Sequence, residues 1–205
     1  MVALVDYGMV GNLHSAKHAL ETVGADVHVV TQPEELKAAE RIVLPGVGAF
    51  AECVQNLEQS GLLEALREEV FDRGKPFLGI CVGLQILADD GEEGGVHRGL
   101  GWAAGNVRRL MPPVGFKVPH VGWNEIIPQR DSALLQGLRP GANFYFVHSY
   151  HFVPADPTLL AATCEYGQTV TAAIERDNIF ATQFHPEKSQ QNGLRLLENF
   201  LAWAP

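Results

Sequence analysis

The stretch PFLGICVGLQILA, residues 76–88, decides the fold. Its first half, PFLGI, reads as a strand buried on both faces, and the run after Cys81, VGLQILA, reads as the opening of a helix. Between them stands Gly79-Ile80-Cys81-Val82-Gly83, a strand-to-helix elbow with cysteine in the position of the nucleophilic serine. A turn that sharp holds its central residue in a strained conformation, and glycines two residues to either side let the neighbouring chain pass. The amide N–H groups and positive end of the following helix favour the thiolate, and the Val82 N–H is aimed at a developing oxyanion. Read blandly, Cys81 is a small hydrophobe at the end of a core strand. Its partners elsewhere in the chain decide between the two readings.

Outward from the elbow, short apolar runs alternate with helical patterns, as a parallel sheet flanked by helices requires. Strands are expected at residues 3–6, 26–30, 41–44 and 76–80. Leu13, Ala16, Leu20 and Val23 recur at helical spacing, with Asn12 as N-cap and Gly24 as the stop. Pro33, Glu34 and Glu35 suit a short helix, and longer ones follow at 50–59 and 62–73. Residues 89–101, rich in glycine and acid, read as a loop. Beyond it, runs at 106–110, 124–127, 144–147, 160–164, 171–175 and 179–184 predict added, partly antiparallel strands before a last helix at 191–203. The expectation is one α/β domain, residues 1–205, with a mostly parallel central sheet, an added antiparallel part, and a site at the carboxyl ends of the parallel strands.

Composition narrows the function. With 205 residues, 46% of them hydrophobic, the chain can bury one sizeable core. A net charge of -9 without a dense Lys/Arg run argues against a nucleic-acid groove or an anionic membrane surface as the main partner. The start carries no basic segment before its apolar residues, no run approaches bilayer length, and the three cysteines, Cys53, Cys81 and Cys164, suit a reducing compartment. The cytoplasm is the expected location. Cys53 and Cys164 lack the elbow's glycines and read as structural. No metal or organic cofactor is implied, because thiolate chemistry supplies the nucleophile and no His/Cys cluster has metal spacing.

Near the end, an apolar run delivers Gln183-Phe184-His185-Pro186-Glu187. In an extended segment His185 and Glu187 share a face, so the carboxylate can bond one imidazole nitrogen while the other takes the thiol proton. A lone His-Pro-Glu is as readily a strand end beside a solvated acid. An elbow cysteine after a central strand together with His-x-Glu after a late strand is a far more specific pair.

These residues resemble those of the class I, or triad, glutamine amidotransferases. More narrowly, DYGMVGNL at 6–13, LPGVGAF at 44–50, GICVGLQ at 79–85, PHVGWN at 119–124 and QFHPEKS at 183–189 are similar to the glutaminase subunits of imidazole glycerol phosphate synthases, which serve histidine biosynthesis. The resemblance implies that Cys81 attacks the side-chain amide of glutamine to give a glutamyl thioester, that His185 moves the protons, and that Glu187 orients His185. It assigns Gly46, Val47 and Gly48 to an oxyanion strand, with the Val47 N–H as donor beside that of Val82. It assigns Gly46 and Gly48 of that strand, with Gln85, Glu93, His148, Ser149 and Tyr150, to substrate binding. It places Asn12, Pro119, His120, Val121, Trp123, Tyr145 and Lys188 on the face that docks a (β/α)8-barrel cyclase subunit, which receives the ammonia. The first motif departs from the family pattern: Met9 and Val10 both stand between Gly8 and Gly11, a turn one residue longer. Rival readings are a glutaminase for another synthase, a stand-alone cysteine hydrolase, and a catalytically silent regulatory subunit; the intact triad argues against the last.

Overall fold

The computed structural model describes residues 1–8 and 12–205, so the lengthened turn at Met9 and Val10 lies outside the described residues. The first half runs β1 (Val2–Val5), α1 (Leu13–Thr22), β2 (Val27–Val30), α2 (Pro33–Leu36), β3 (Arg41–Gly46), α3 (Phe50–Gln59), α4 (Leu62–Arg67), β4 (Phe77–Cys81) and α5 (Val82–Gln85). The second half runs β5 (Asp90–Gly91), β6 (His97–Arg98), β7 (Gly105–Arg109), β8 (His120–Glu125), β9 (Ile127–Pro128), β10 (Asn143–His148), β11 (Tyr150–Pro154), β12 (Leu160–Glu165), β13 (Thr169–Arg176), β14 (Ile179–Thr182) and α6 (Gln190–Ala202).

Among the described residues an eight-stranded sheet has the order β2-β1-β3-β4-β14-β13-β12-β9. Strands β2, β1, β3, β4 and β14 are parallel, and β13, β12 and β9 join antiparallel at one edge. This is the expected mostly parallel sheet with an antiparallel part. Residues of β1, β4 and β14 are buried throughout, because helices cover both faces, which is why these strands read as unbroken apolar runs. A two-stranded ribbon of β8 and β10 and a four-stranded sheet, β11-β7-β5-β6, stand beyond the main sheet. There the strands alternate, so Phe144 and Phe146 of β10 go inward while Val147 faces out. Their rings meet Phe184, just past β14, at centroid distances of 4.2 and 5.7 Å, anchoring the chain that carries His185.

Five readings need correction. The helix after Cys81 is a single turn: the carbonyls of Ile86, Leu87 and Ala88 accept from the amides of residues 100–103, so they are taken from the helix that VGLQILA would otherwise continue. Its dipole is therefore small, and the first amides remain its useful part. The 89–101 segment carries β5 and β6, held by Asp90 bonding Asn106 and Arg108 across to β7. The strand expected at 124–127 starts instead at His120, and Ile127 belongs to a different strand on the main sheet. Its polar residues and Gly122 carry little strand signal of their own; pairing with β10 supplies the order. Strand β11 was missed because only Ser149 separates it from β10. The helical run from Leu62 ends in a wider turn, Glu68–Asp72, whose Glu69 forms a buried ion pair with Lys75 at 2.5 Å before β4.

Candidate active site

Strand β4 ends at Cys81 with φ 56° and ψ −108°, a strained conformation for a residue with a side chain. The elbow folds back onto the end of β3, and the space left there fits glycine alone. A Cβ on Gly83 would lie 2.1 Å from the Leu44 carbonyl oxygen, one on Gly79 2.7 Å from that of Gly83, and one on Gly46 2.5 Å from the Gly83 nitrogen. Gly46 pairs with Cys81 across the sheet, and Gly48 takes φ 96°, so the Pro45–Gly48 loop passes beside the sulfur. The carbonyls on either side of Gly46 are pinned from below. Tyr7 Oη donates to Pro45 O at 3.0 Å, and Cys53 Sγ donates to Val47 O at 3.4 Å. Cys53 and Cys164 are buried, and burial pushes each thiol up to about 12.

His185 follows β14 in extended conformation and pairs with β10, its N–H donating to Tyr145 O. Ser189 locks this join by donating to His185 O and accepting from Tyr145 N. Glu187 sits not on an extended segment but in the 3-10 turn Pro186–Lys188, which swings its carboxylate back under the ring. His185 Nδ1 donates to Glu187 Oε1 at 2.7 Å, and Asn12 Nδ2 donates to the same oxygen at 2.8 Å. With Nδ1 carrying the proton, the 3.4 Å approach of Asn12 Nδ2 to Nδ1 sets donor against donor and adds no bond. Both side chains of the pair are buried, at 1% and 0% exposure, so Glu187 is not a solvated acid. The second ring nitrogen, Nε2, has no hydrogen-bond partner among the described residues. Burial disfavours the imidazolium, but the Cys81 sulfur and the Glu187 carboxylate outweigh it and raise the His185 pKa.

A cavity of about 370 Å³, within the usual size for a small-molecule site, opens beside Cys81 and His185. Val47, Gly48 and Val82 border it on the elbow side, and Glu93, Ser149 and Tyr150 border it elsewhere. Gln85 reaches it while donating through Nε2 to Tyr150 O and to Gln183 Oε1. Glu93 accepts from the Phe50 N–H at the start of α3. His148 borders the cavity, yet both its ring nitrogens are committed, Nδ1 to Tyr150 O and Nε2 to His120 Nδ1; burial holds it down to about 3 and so neutral.

The expected docking residues divide in two. Val121 and Trp123 are exposed on β8, Trp123 edge-on to Tyr145, and Pro119 and Lys188 border the cavity itself. Asn12 and His120 are instead buried at 2% exposure, Asn12 on Glu187 and His120 stacked on Tyr166 and Phe146. Sequence reasoning overlooked Gln183 and Tyr7. A glutamine inside an otherwise apolar run was the available signal for the first; the second had none.

Comparison with known proteins agrees with this geometry. The model of the class I glutamine amidotransferases matches residues 3–203. The chain is 54% identical to imidazole glycerol phosphate synthase subunit HisH of Rhodospirillum rubrum, covering 100% of this chain and 99% of that one. It is 53% identical to the subunit of the same name from Zymomonas mobilis, covering 100% and 96%. A solved structure described as a glutamine amidotransferase superposes with a TM-score of 0.74 at 20% identity, over 98% of this chain and 97% of that one, which speaks for the fold. An elbow cysteine facing a buried His-Glu pair, in a chain matched by the family model from end to end, places this protein in the class I glutamine amidotransferase family.

Proposed function

We propose that the chain is the glutaminase subunit of an imidazole glycerol phosphate synthase in histidine biosynthesis, acting in the cytoplasm as one domain. The observation that carries the chemistry is the strained Cys81 beside an imidazole whose far nitrogen is fixed by a buried carboxylate. His185 Nε2 takes the thiol proton, and the sulfur forms a bond to the side-chain amide carbon of glutamine. The carbonyl π pair moves onto oxygen, where the Val47 and Val82 N–H groups receive it. His185 then gives its proton to the departing nitrogen, the C–N bond breaks, and ammonia leaves a glutamyl thioester. Water attacks the thioester, its proton passing through His185 to the sulfur, and glutamate is released. Glu187, steadied by Asn12, keeps the tautomer and stabilises the imidazolium.

Free ammonia is protonated and lost in water, so the acceptor has to sit against the site. Pro119 and Lys188 border the cavity and continue into the exposed Val121 and Trp123, a face suited to a (β/α)8-barrel cyclase subunit. The ammonia and a nucleotide would there yield imidazole glycerol phosphate and AICAR. The test is glutamate release from glutamine by the chain alone and with a histidine-pathway cyclase plus its nucleotide, with Cys81→Ala as control. A Cys81-dependent rate that rises with the cyclase is expected. Full activity indifferent to the cyclase would assign the chain to another synthase or to stand-alone hydrolysis.

A further inference from the structure

Gln183 is fully buried, one residue past β14 and two before His185, where an apolar side chain would cost less to bury. The network around it settles which way its amide points. Tyr150 O can only accept, so the Gln85 group that meets it at 2.9 Å is Nε2. The second proton of that nitrogen goes to the other neighbour, Gln183, which must therefore present Oε1, at 3.0 Å. That leaves Gln183 Nε2 toward Cys81, 3.7 Å from the sulfur. The reverse orientation would set two NH2 groups against each other and a carbonyl oxygen against the nucleophile. A second donor on Tyr150 O, the His148 Nδ1–H at 2.8 Å, holds the anchor in place. Gln183 itself is tied at its backbone by donating its N–H to Ala172 O across to β13.

We propose that Gln183 is a further catalytic residue, whose Nε2–H donates to the Cys81 sulfur as negative charge develops on it and whose Oε1 fixes Gln85 with its carbonyl toward the substrate cavity. The inference rests on the reading of Cys81 as nucleophile. When His185 removes the thiol proton, the electron pair left on sulfur is met by a preorganised amide proton, at no cost in reorientation. The bond weakens again as the pair is spent on the new C–S bond. A donor in this position assists thiolate formation more than substrate binding. The same side chain also determines the second role, because turning it would release a proton of Gln85 and leave that residue's carbonyl free to rotate.

The test follows alkylation of Cys81 by iodoacetamide from pH 6 to pH 9, read at the Cys81 peptide by mass spectrometry, in the unmutated chain and in Gln183→Met, a side chain of similar volume without a donor. Glutaminase kcat and KM are measured on both with the cyclase present. We expect alkylation at pH 7 to fall about tenfold and the pH–rate curve to move alkaline by about one unit, both read without substrate, and kcat to fall while KM rises as Gln85 loses its anchor. A second measurement needs no variant: the Gln183 side-chain amide resonances of the native chain should shift with the same pH midpoint as the alkylation curve. Superimposable alkylation curves in a folded Gln183→Met protein, or amide resonances that ignore the titration, would overturn the proposal. A native chain in which Cys81 is not alkylated faster than the buried Cys53 and Cys164 would instead overturn the nucleophile reading, and the proposal with it.

Discussion

Mild acid should unfold this protein through three histidines that the fold keeps neutral. His120, His148 and His151 are buried, and burial lowers them from 6.5 to about 4, about 3 and about 4. Each folded value lies below the unfolded one, so between them the unfolded chain binds a proton that the folded chain refuses. The stability concerned is complete above about pH 6.5 and is lost as pH falls toward the folded values. One proton is worth about 1.36 kcal/mol per pH unit, so the three together give a slope of about 4 kcal/mol per unit. By pH 5 the loss is about 6 kcal/mol, comparable with the whole net stability of an ordinary domain, about 5–15 kcal/mol. His185 does not enter this window: its value is raised, so below pH 6.5 both states hold its proton. The assay is urea unfolding followed by circular dichroism at pH 7, 6 and 5. His151 lies outside the site, with Nδ1 unpartnered among the described residues, so His151→Leu should cut the slope by about a third. A stability that stays flat from pH 6.5 to 5, or equal slopes in the two proteins, would refute the reasoning.

Three further outcomes follow from the geometry. Gly83→Ala places a Cβ 2.1 Å from Leu44 O, and relieving that contact shifts the elbow against the oxyanion strand. A stability loss of about 1–3 kcal/mol and a kcat lowered about 100-fold are expected, and a native kcat would contradict the packing described. Lys75→Met strands the buried Glu69 carboxylate and should cost about 3–5 kcal/mol in chemical unfolding, most of it recovered in the double variant with Glu69→Leu. Glu187→Gln keeps the shape of the turn but withdraws the charge from His185, so steady-state kcat should drop by about 10³–10⁴ while the melting curve changes little.

The fold class was legible because its cause is local. Strands covered on both faces must be continuously apolar, and helices between them must show a stripe, so 76–80 and 50–59 announce themselves without any knowledge of their neighbours. The elbow was legible because glycines at 79 and 83 bracket the cysteine, although only one of the two answers a local demand: a Cβ on Gly79 would meet the carbonyl oxygen of Gly83, whereas one on Gly83 would meet Leu44 O of the neighbouring strand. What local pattern could not supply was anything settled by a distant partner. The helix after Cys81 stops at one turn because residues 100–103 capture its carbonyls, and the strand at His120 exists because β10 pairs with it. Asn12 looks like a helix cap but spends its amide on Glu187, and Gln183 looks like an interruption but bridges Gln85 and the sulfur. Hydrogen bonds of buried polar groups are made wherever the tertiary fold leaves an unpaired partner, which no spacing along the chain encodes. The sequence thus determined which elements form and which residues carry the chemistry; the tertiary structure alone decided which polar atom each of them meets.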